Sequence, residues 1–376
     1  MSKKRIAFVM SYWGYGGGQV VTKSLMELLS REGYDVTLIA GGIDEEQRIQ
    51  LPQSIRVFDV NNYVERGKRN VRELMEALWH GVHEIRTILN ELSPEVIILT
   101  DFWTLVNCVL ALWFRTRSYK LILWLHLSLS GYYSKTKEWP LYKPFTRFVD
   151  QFVVVSDPMK DEILKYLGPN AYRRTIVIDN FVFPNSAELV YKPGSKRFVF
   201  IGRLMNEAKR LDRLLKAFST LDDPSVSLEI IGDGTDKDSL VKMAEELGIE
   251  SRVHFTGWVS DPYQFISTTG GAKALILSSD YESFGLVLLE ALIHGLPCIS
   301  MDCPVGPRSI IKAGFNGFLV PFSTNERENV SNLGRAIETM AHGSVPFSPE
   351  AISDDAMVRF EPQDSLKKWE KLIEDE

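Results

Sequence analysis

Between Ala274 and Ser300 the hydrophobic pattern changes period twice, and no other stretch constrains the fold as much. Ala274 to Leu277 is an apolar run of strand length, Phe284 to Ile293 has the apolar density of a buried helix, and Cys298-Ile299-Ser300 is a second strand. Gly295 and Pro297 stop the helix in the expected order, because glycine accepts the left-handed C′ conformation and proline cannot continue the turn. A strand, loop, helix, strand unit builds a parallel sheet and gathers its loops and helix N termini at one rim.

Glu290 interrupts this helix between Leu286-Val287-Leu288-Leu289 and Ala291-Leu292-Ile293. A carboxylate buried there without partners costs on the order of several kcal/mol, so its donors must come from the protein or from the hydroxyls of a ligand. Glu282 precedes the helix. With a rise of about 1.5 Å per residue carried through the segment, the two carboxylates lie roughly 12 Å apart along the axis. Between them, Gly285, Leu286 and Val287 offer unpaired first-turn amides, which with the helix dipole attract an anion such as phosphate. Sugar hydroxyls, then phosphates, then ribose hydroxyls is the order of groups in a nucleotide-sugar. Taken alone, the two acids equally fit a helix cap at Glu282 and a surface ion pair at Glu290.

A chain of 376 residues, 45% hydrophobic and 24% charged, is long enough for two soluble domains with separate cores. Residues 1–190 hold 23 Lys+Arg against 21 Asp+Glu, and the remainder 20 against 28, for a net charge of −6. That balance argues against a nucleic-acid polymer as partner. Cys108, Cys298 and Cys303 have neither disulfide nor zinc spacing and fit a reducing compartment. No run reaches the ~18 apolar residues of a membrane span, and Ile6 to Met10 is too short for a signal-peptide core. The expectation is a cytoplasmic protein that touches a membrane peripherally without crossing it.

The chain opens with an apolar strand, Ile6 to Met10, a glycine loop, Gly14-Tyr15-Gly16-Gly17-Gly18, and a helical period through Val21, Leu25, Leu28 and Leu29. Such a loop lets backbone approach a ligand closely, but it lacks the register of a dinucleotide fingerprint. Further strands are expected at 36–39, 55–60, 94–100, 121–125, 152–156 and 175–178, and a long helix over 66–90 has Arg66, Lys68, Arg69 and Arg72 at its start. His126 ends the strand 121–125, at the rim where a parallel sheet presents ligand groups. Residues 131–149 mix Tyr132, Tyr133, Trp139, Tyr142, Phe145 and Phe148 with Lys135, Lys137, Lys143 and Arg147, which reads either as ordinary surface packing or as a lip facing an acceptor or lipid. The irregular segment 182–195 is the expected linker. Beyond it, strands at 198–201, 228–232 and 253–255 continue a second sheet, with Arg203 at a strand exit and Lys209 at the next helix entrance, both able to reach one anion. Asp233 to Asp238 lacks the glycine and final glutamate of a calcium loop.

The pattern Glu-x-Phe-Gly-x-x-x-x-Glu-Ala, Glu282 to Ala291, resembles the signature of the family-4 retaining glycosyltransferases, and the likeness covers most of the chain, most strongly from Val199 to Pro321. It implies the GT-B fold: an α/β architecture of two Rossmann-like domains facing each other across a cleft. The expected domains are 1–182 for the acceptor, with a C-terminal helix 364–376 packing back, and 195–362 for the donor. By resemblance, Gly202, Arg203 and Lys209 hold the donor diphosphate, Phe284, Gly285, Leu286 and Val287 form the amide turn beneath it, Glu282 meets the sugar and Glu290 the ribose. Trp258 and Val259 line the uracil pocket. Gly16, Gly17 and Gly18 resemble the family's Gly-Gly-Ala-Glu loop with Gln19 in place of the acid, and His126 resembles the histidine beside the transferred sugar.

The implied activity is transfer of a hexose or N-acetylhexosamine from a UDP-sugar to a glycan, lipid-linked or protein acceptor, with retention of anomeric configuration. His126, Arg203, Lys209 and Glu282 are the expected catalytic set. Protein cations and helix dipoles replace a metal, so no cofactor is expected. Two other readings share the two-domain form: a UDP-sugar 2-epimerase-like enzyme, and a non-catalytic glycosyltransferase subunit.

Overall fold

The computed structural model describes residues 3–14, 16–44, 51–61, 71–113, 116–130, 139–183, 188–343 and 347–375. The chain divides into two compact units, Met1–Asn180 with Pro362–Glu376, and Phe181–Glu361.

The first unit is built on seven parallel strands: β1 (Arg5–Met10), β2 (Asp35–Ala40), β3 (Arg56–Asp59), β4 (Val96–Leu99), β5 (Lys120–Leu125), β6 (Gln151–Val154) and β7 (Thr175–Val177). Their order is β3-β2-β1-β4-β5-β6-β7. β1, β4 and β5 are apolar nearly throughout and almost wholly buried, as strands covered on both faces must be. The helix Gly17–Arg31 buries Val21, Leu25, Leu28 and Leu29, the period read from the sequence. The helix expected over 66–90 is described from Val71 to Leu92; Arg66, Lys68 and Arg69 lie outside the described residues, as do Tyr15, Pro184 and the stretch 131–138 with Tyr132, Tyr133, Lys135 and Lys137.

The second unit holds β8 (Arg197–Ile201), β9 (Ser227–Ile231), β10 (Val253–Gly257), β11 (Ala274–Leu277), β12 (Cys298–Met301) and β13 (Gly317–Val320), all parallel, in the order β10-β9-β8-β11-β12-β13. Both sheets therefore reverse direction of growth once, between β1 and β4 and between β8 and β11. Ligands of such sheets bind where the order reverses, outside the strand carboxyl ends.

Two boundaries differ from the sequence reading. The segment expected as a linker joins the second unit, because the Val190 amide donates to His294 O (3.0 Å) and the Lys192 amide to Ala272 O (2.9 Å). The helix expected from Phe284 begins at Leu286, because Gly285 is left-handed (φ 92°), a conformation that cannot continue a right-handed helix backwards. At its other end Gly295 is left-handed too (φ 65°), and the Leu296 amide closes on Ala291 O (2.9 Å), the termination that Gly295 and Pro297 announced.

Candidate functional site

β8 and β11 are neighbours, with Ala274 opposite Phe198, so the loops that follow them emerge side by side at the switch point. The first carries Gly202, exposed Arg203 and a short helix ending at Lys209; the second runs from Ser278 to Gly285. Lys209 Nζ lies 2.6 Å from Glu282 Oε1, and the Ser279 hydroxyl donates to the same oxygen at 2.7 Å. Two further hydrogen bonds stitch the loops: Ser278 Oγ donates to Lys209 O (2.8 Å) and the Asp280 amide to Ala208 O (3.0 Å). Beneath them, the Arg210 guanidinium contacts Asp212, Asp280 and Glu326, while wholly buried Arg213 binds Asp280, Glu326 and Ser278 O.

Backbone strain collects at the same place. Arg210, next to Lys209, is left-handed (φ 51°), and Val305, bridged to Glu282, has φ 89°. A β-branched residue at positive φ costs about 1–3 kcal/mol and persists only where its surroundings impose it. Gly306 donates to Glu282 O (2.9 Å), and a Cβ there would fall 2.6 Å from Phe284 O. The backbone of residues 282–284 is thus fixed from below.

Glu282 is therefore an ion-paired loop residue and neither a helix cap nor on the helix axis, so the 12 Å spacing expected from helical rise does not apply. Phe284 is core: its ring is buried and meets Phe360 edge-on at 5.6 Å, leaving only its backbone to a ligand. Among the described residues the amides of Gly285, Leu286 and Val287 find no acceptor, whereas Leu288 N already donates to Gly285 O (2.8 Å).

Glu290 follows one helical turn later. Among the described residues it has neither a side-chain hydrogen bond nor a counter-ion, and the apolar protein packed around it pushes its carboxyl up to about 7. The surface ion pair open to it on sequence grounds does not form. Tyr263 closes the neighbouring wall, donating to Val287 O (3.2 Å) and stacking on His294 at 4.2 Å. Trp258, at the exit of β10, is 61% exposed, with Val259 half-buried beside it.

In the first unit, Gly18 and His126 come together: a Cβ on Gly18 would lie 3.3 Å from His126 Cγ, so only glycine fits without displacing the ring. The Thr22 hydroxyl donates to Gly18 O (2.7 Å) and therefore accepts from His126 Nε2 (3.4 Å), which leaves Nδ1 the bare acceptor. Burial drives the imidazole down to about 3, so it is neutral. Trp124 packs on His126 at 4.2 Å, and Trp369 of the C-terminal helix packs on Trp124 at 4.8 Å. Gly16 caps the helix Gly17–Arg31 without a side-chain bond, and Gln19 folds back, its amide donating to Tyr12 O (3.4 Å), so it closes the loop on itself.

Comparison with known proteins bears on this arrangement. The Glycosyltransferase Family 4 model matches residues 15–185 and the glycosyl transferases group 1 model matches residues 184–341. The lipopolysaccharide 1,6-galactosyltransferase of Salmonella typhimurium is 34% identical over 73% of this chain and 75% of its own. The chain belongs to the family-4 glycosyltransferases. The amylovoran biosynthesis glycosyltransferase AmsD of Erwinia amylovora is 25% identical over 95% of this chain and 96% of its own. Among solved structures, the apo lipopolysaccharide outer core galactosyltransferase WaaB superposes with a TM-score of 0.78 at 25% identity, covering 98% of this chain and 99% of the other. The two parallel-sheet units are those of a GT-B enzyme.

Of the residues the sequence named for this glycosyltransferase, the fold brings Gly18 and His126 together on one unit and Lys209 and Glu282 on the other, with Gly285 to Val287 following Glu282, whereas Trp258 and Val259 follow β10, two strands away from the switch point. The sequence did not name Ser278, Ser279, Arg210, Arg213, Asp280 or Glu326, which hold Lys209 against Glu282. Their one signal was the charge in Arg210-Leu211-Asp212-Arg213, set inside an otherwise apolar helical run.

Proposed function

We propose that this glycosyltransferase takes a UDP-sugar and transfers its hexose or N-acetylhexosamine with retention of configuration, in the cytoplasm at the inner face of the membrane, during synthesis of a cell-surface glycan. The observation that carries this reading is Glu290, a carboxylate without a partner one turn beyond three bare amides. Ribose hydroxyls supply the donors it lacks, and the diphosphate takes the amides of Gly285, Leu286 and Val287. Arg203 and Lys209 add the cations on which the leaving diphosphate's charge settles, and Glu282, which holds Lys209 in the free protein, then turns to sugar hydroxyls. With that charge met by protein groups, the transfer needs no metal. The neutral His126 offers an acceptor nitrogen to a sugar hydroxyl. The acceptor hydroxyl attacks on the face the diphosphate leaves, its proton passing to a phosphate oxygen. Galactose heads the donor panel, since relatives from Salmonella typhimurium and Escherichia coli are lipopolysaccharide 1,6-galactosyltransferases.

The test is turnover of UDP-galactose, UDP-glucose and UDP-GlcNAc with a glycan acceptor panel, with and without EDTA, and assignment of the product anomer by NMR. Glu290→Ala is expected to weaken UDP binding about tenfold or more, and Arg203→Ala to lower kcat while sparing KM. An inverted product, a loss of activity in EDTA, or normal kinetics in both variants overturns the reading.

A further inference from the structure

The carboxylate of Glu282 is held at one oxygen only. Lys209 Nζ (2.6 Å) and the Ser279 hydroxyl (2.7 Å) both lie on Oε1, and among the described residues nothing donates to Oε2. The backbone beneath has no freedom to follow either partner. The Gly306 amide donates to Glu282 O (2.9 Å), Val305 is bridged to the same residue, and the sulfur of wholly buried Cys303 meets its backbone. What remains open is rotation of the carboxylate itself.

The two donors on Oε1 differ in kind. Lys209 is a half-buried cation on a long, flexible stem, and an arriving diphosphate competes for it. Ser279 is wholly buried, two residues past β11, and its chain neighbours are clamped on both sides. Arg213 donates to Ser278 O (2.8 Å), and the Asp280 carboxylate takes Arg210 (2.9 Å) and Arg213 (2.6 Å). A short side chain on an immobile backbone gives up little entropy in keeping a hydrogen bond, so this hydroxyl stays where it is when the lysine moves. In the free protein it is nearly redundant, because Lys209 alone neutralises Glu282. Once Lys209 turns to phosphate, it is the one donor left to Oε1 among the described residues.

We infer that Ser279 is a positioning residue for the donor sugar: as Lys209 leaves for the diphosphate, the Ser279 hydroxyl keeps Oε1 of Glu282 in place and so presents Oε2 at a fixed point to a sugar hydroxyl. The inference rests on the donor placement proposed above and adds a division of roles within it, in which the sugar is read independently of the diphosphate. A fixed acceptor oxygen selects a hydroxyl by its position, which a carboxylate free to rotate after Lys209 could not do.

The experiment is calorimetric titration of the full chain with UDP and with the tightest-binding of UDP-galactose, UDP-glucose and UDP-GlcNAc. Ser279→Ala is expected to weaken the UDP-sugar about tenfold and to leave UDP unchanged, because UDP has no sugar to meet Oε2. Ser279→Cys fills the same space with a far weaker donor and should give the same split. In a Glu282→Ala background neither substitution should have any further effect, since Ser279 acts through that carboxylate. Equal losses for UDP and UDP-sugar would make the hydroxyl a general support of the loop and overturn the inference. So would an unchanged UDP-sugar affinity, or a loss that persists without Glu282. Glu290→Ala, titrated alongside, separates the two levels. If it leaves UDP affinity intact, the donor placement itself fails; if it weakens UDP while the Ser279 variants bind the UDP-sugar normally, only the role of Ser279 is lost.

Discussion

Glu290 and His126 are half-buried titratable groups whose ordinary charge is suppressed, and they act on stability with opposite signs. The Glu290 carboxyl, ordinarily near 4.5, is held at about 7 by burial, so between those values the folded protein binds a proton that the unfolded chain has lost. Its contribution is fully present below pH 4.5 and is lost as pH rises through 7, at most about 3 kcal/mol in all. The Tm of the unliganded Glu290→Gln variant should therefore exceed that of the wild type at pH 8 and approach it at pH 4.5. With ribose hydroxyls donating to the carboxylate, UDP affinity should fall roughly tenfold for each pH unit below 7 in the wild type and lose that dependence in the variant, which calorimetric titration reads directly. His126 runs the other way: burial lowers its imidazole from 6.5 to about 3, so its contribution is present above pH 6.5 and is lost on acidification toward 3. His126→Asn should flatten that part of the acid unfolding curve. No limb near pH 6.5 in the kcat profile should trace to this residue.

The loops after β8 and β11 show what was legible in the sequence and what was not. Strand runs such as Phe198 to Ile201 and Ala274 to Leu277, and the stop at Gly295, are local signals that no tertiary contact overrode. The Lys209–Glu282 pair is not local: 73 positions separate its members, and they meet because two strands distant in sequence are adjacent in the sheet. Both residues could be named as anion or sugar contacts, but their mutual engagement is a fact of topology. The burial of Arg213 was equally hidden, since an arginine in a helix ordinarily marks the solvent face. Arg210 sets two effects against each other. Arg210→Gly relieves a left-handed arginine, worth about 1 kcal/mol, and removes contacts to Asp212, Asp280 and Glu326, leaving those carboxylates short of a partner. Lost partly buried ion pairs cost about 3 kcal/mol or more, so net destabilisation of about 2 kcal/mol is expected in urea unfolding. Turnover should fall with it, because Asp280, whose amide holds the Ala208 carbonyl beside Lys209, loses one of its two arginines.

At the scale of the whole chain, the first unit is discontinuous: it takes its last helix, Pro362–Glu374, from beyond the second. Its apolar stripe of Leu366, Trp369, Leu372 and Ile373 is buried, and the Ser365 hydroxyl donates to Asp179 O (3.1 Å). Lys4 and Lys120, at the starts of β1 and β5, donate to the Ile373 and Leu372 carbonyls (2.9 and 2.8 Å), so positive charge meets the negative end of the helix dipole where its carbonyls lack partners. Trp369 then bears on Trp124, and Trp124 on His126, a buried line of rings from the C-terminal helix to the glycine loop. Removing Trp369 leaves a cavity behind the ring that sets the histidine, at a cost of about 3–5 kcal/mol. Trp369→Ala should accordingly lower the stability of the first unit and depress kcat more than it changes UDP affinity, since none of the groups assigned to the nucleotide packs on this helix. Residues 1–180 expressed alone should expose Trp124 and unfold at lower urea than the same segment supplied with a peptide spanning 362–375, whereas residues 181–361 should fold unaided. A cooperative transition in the isolated 1–180 fragment at the midpoint of the intact protein would mean that the final helix contributes nothing to the core it caps.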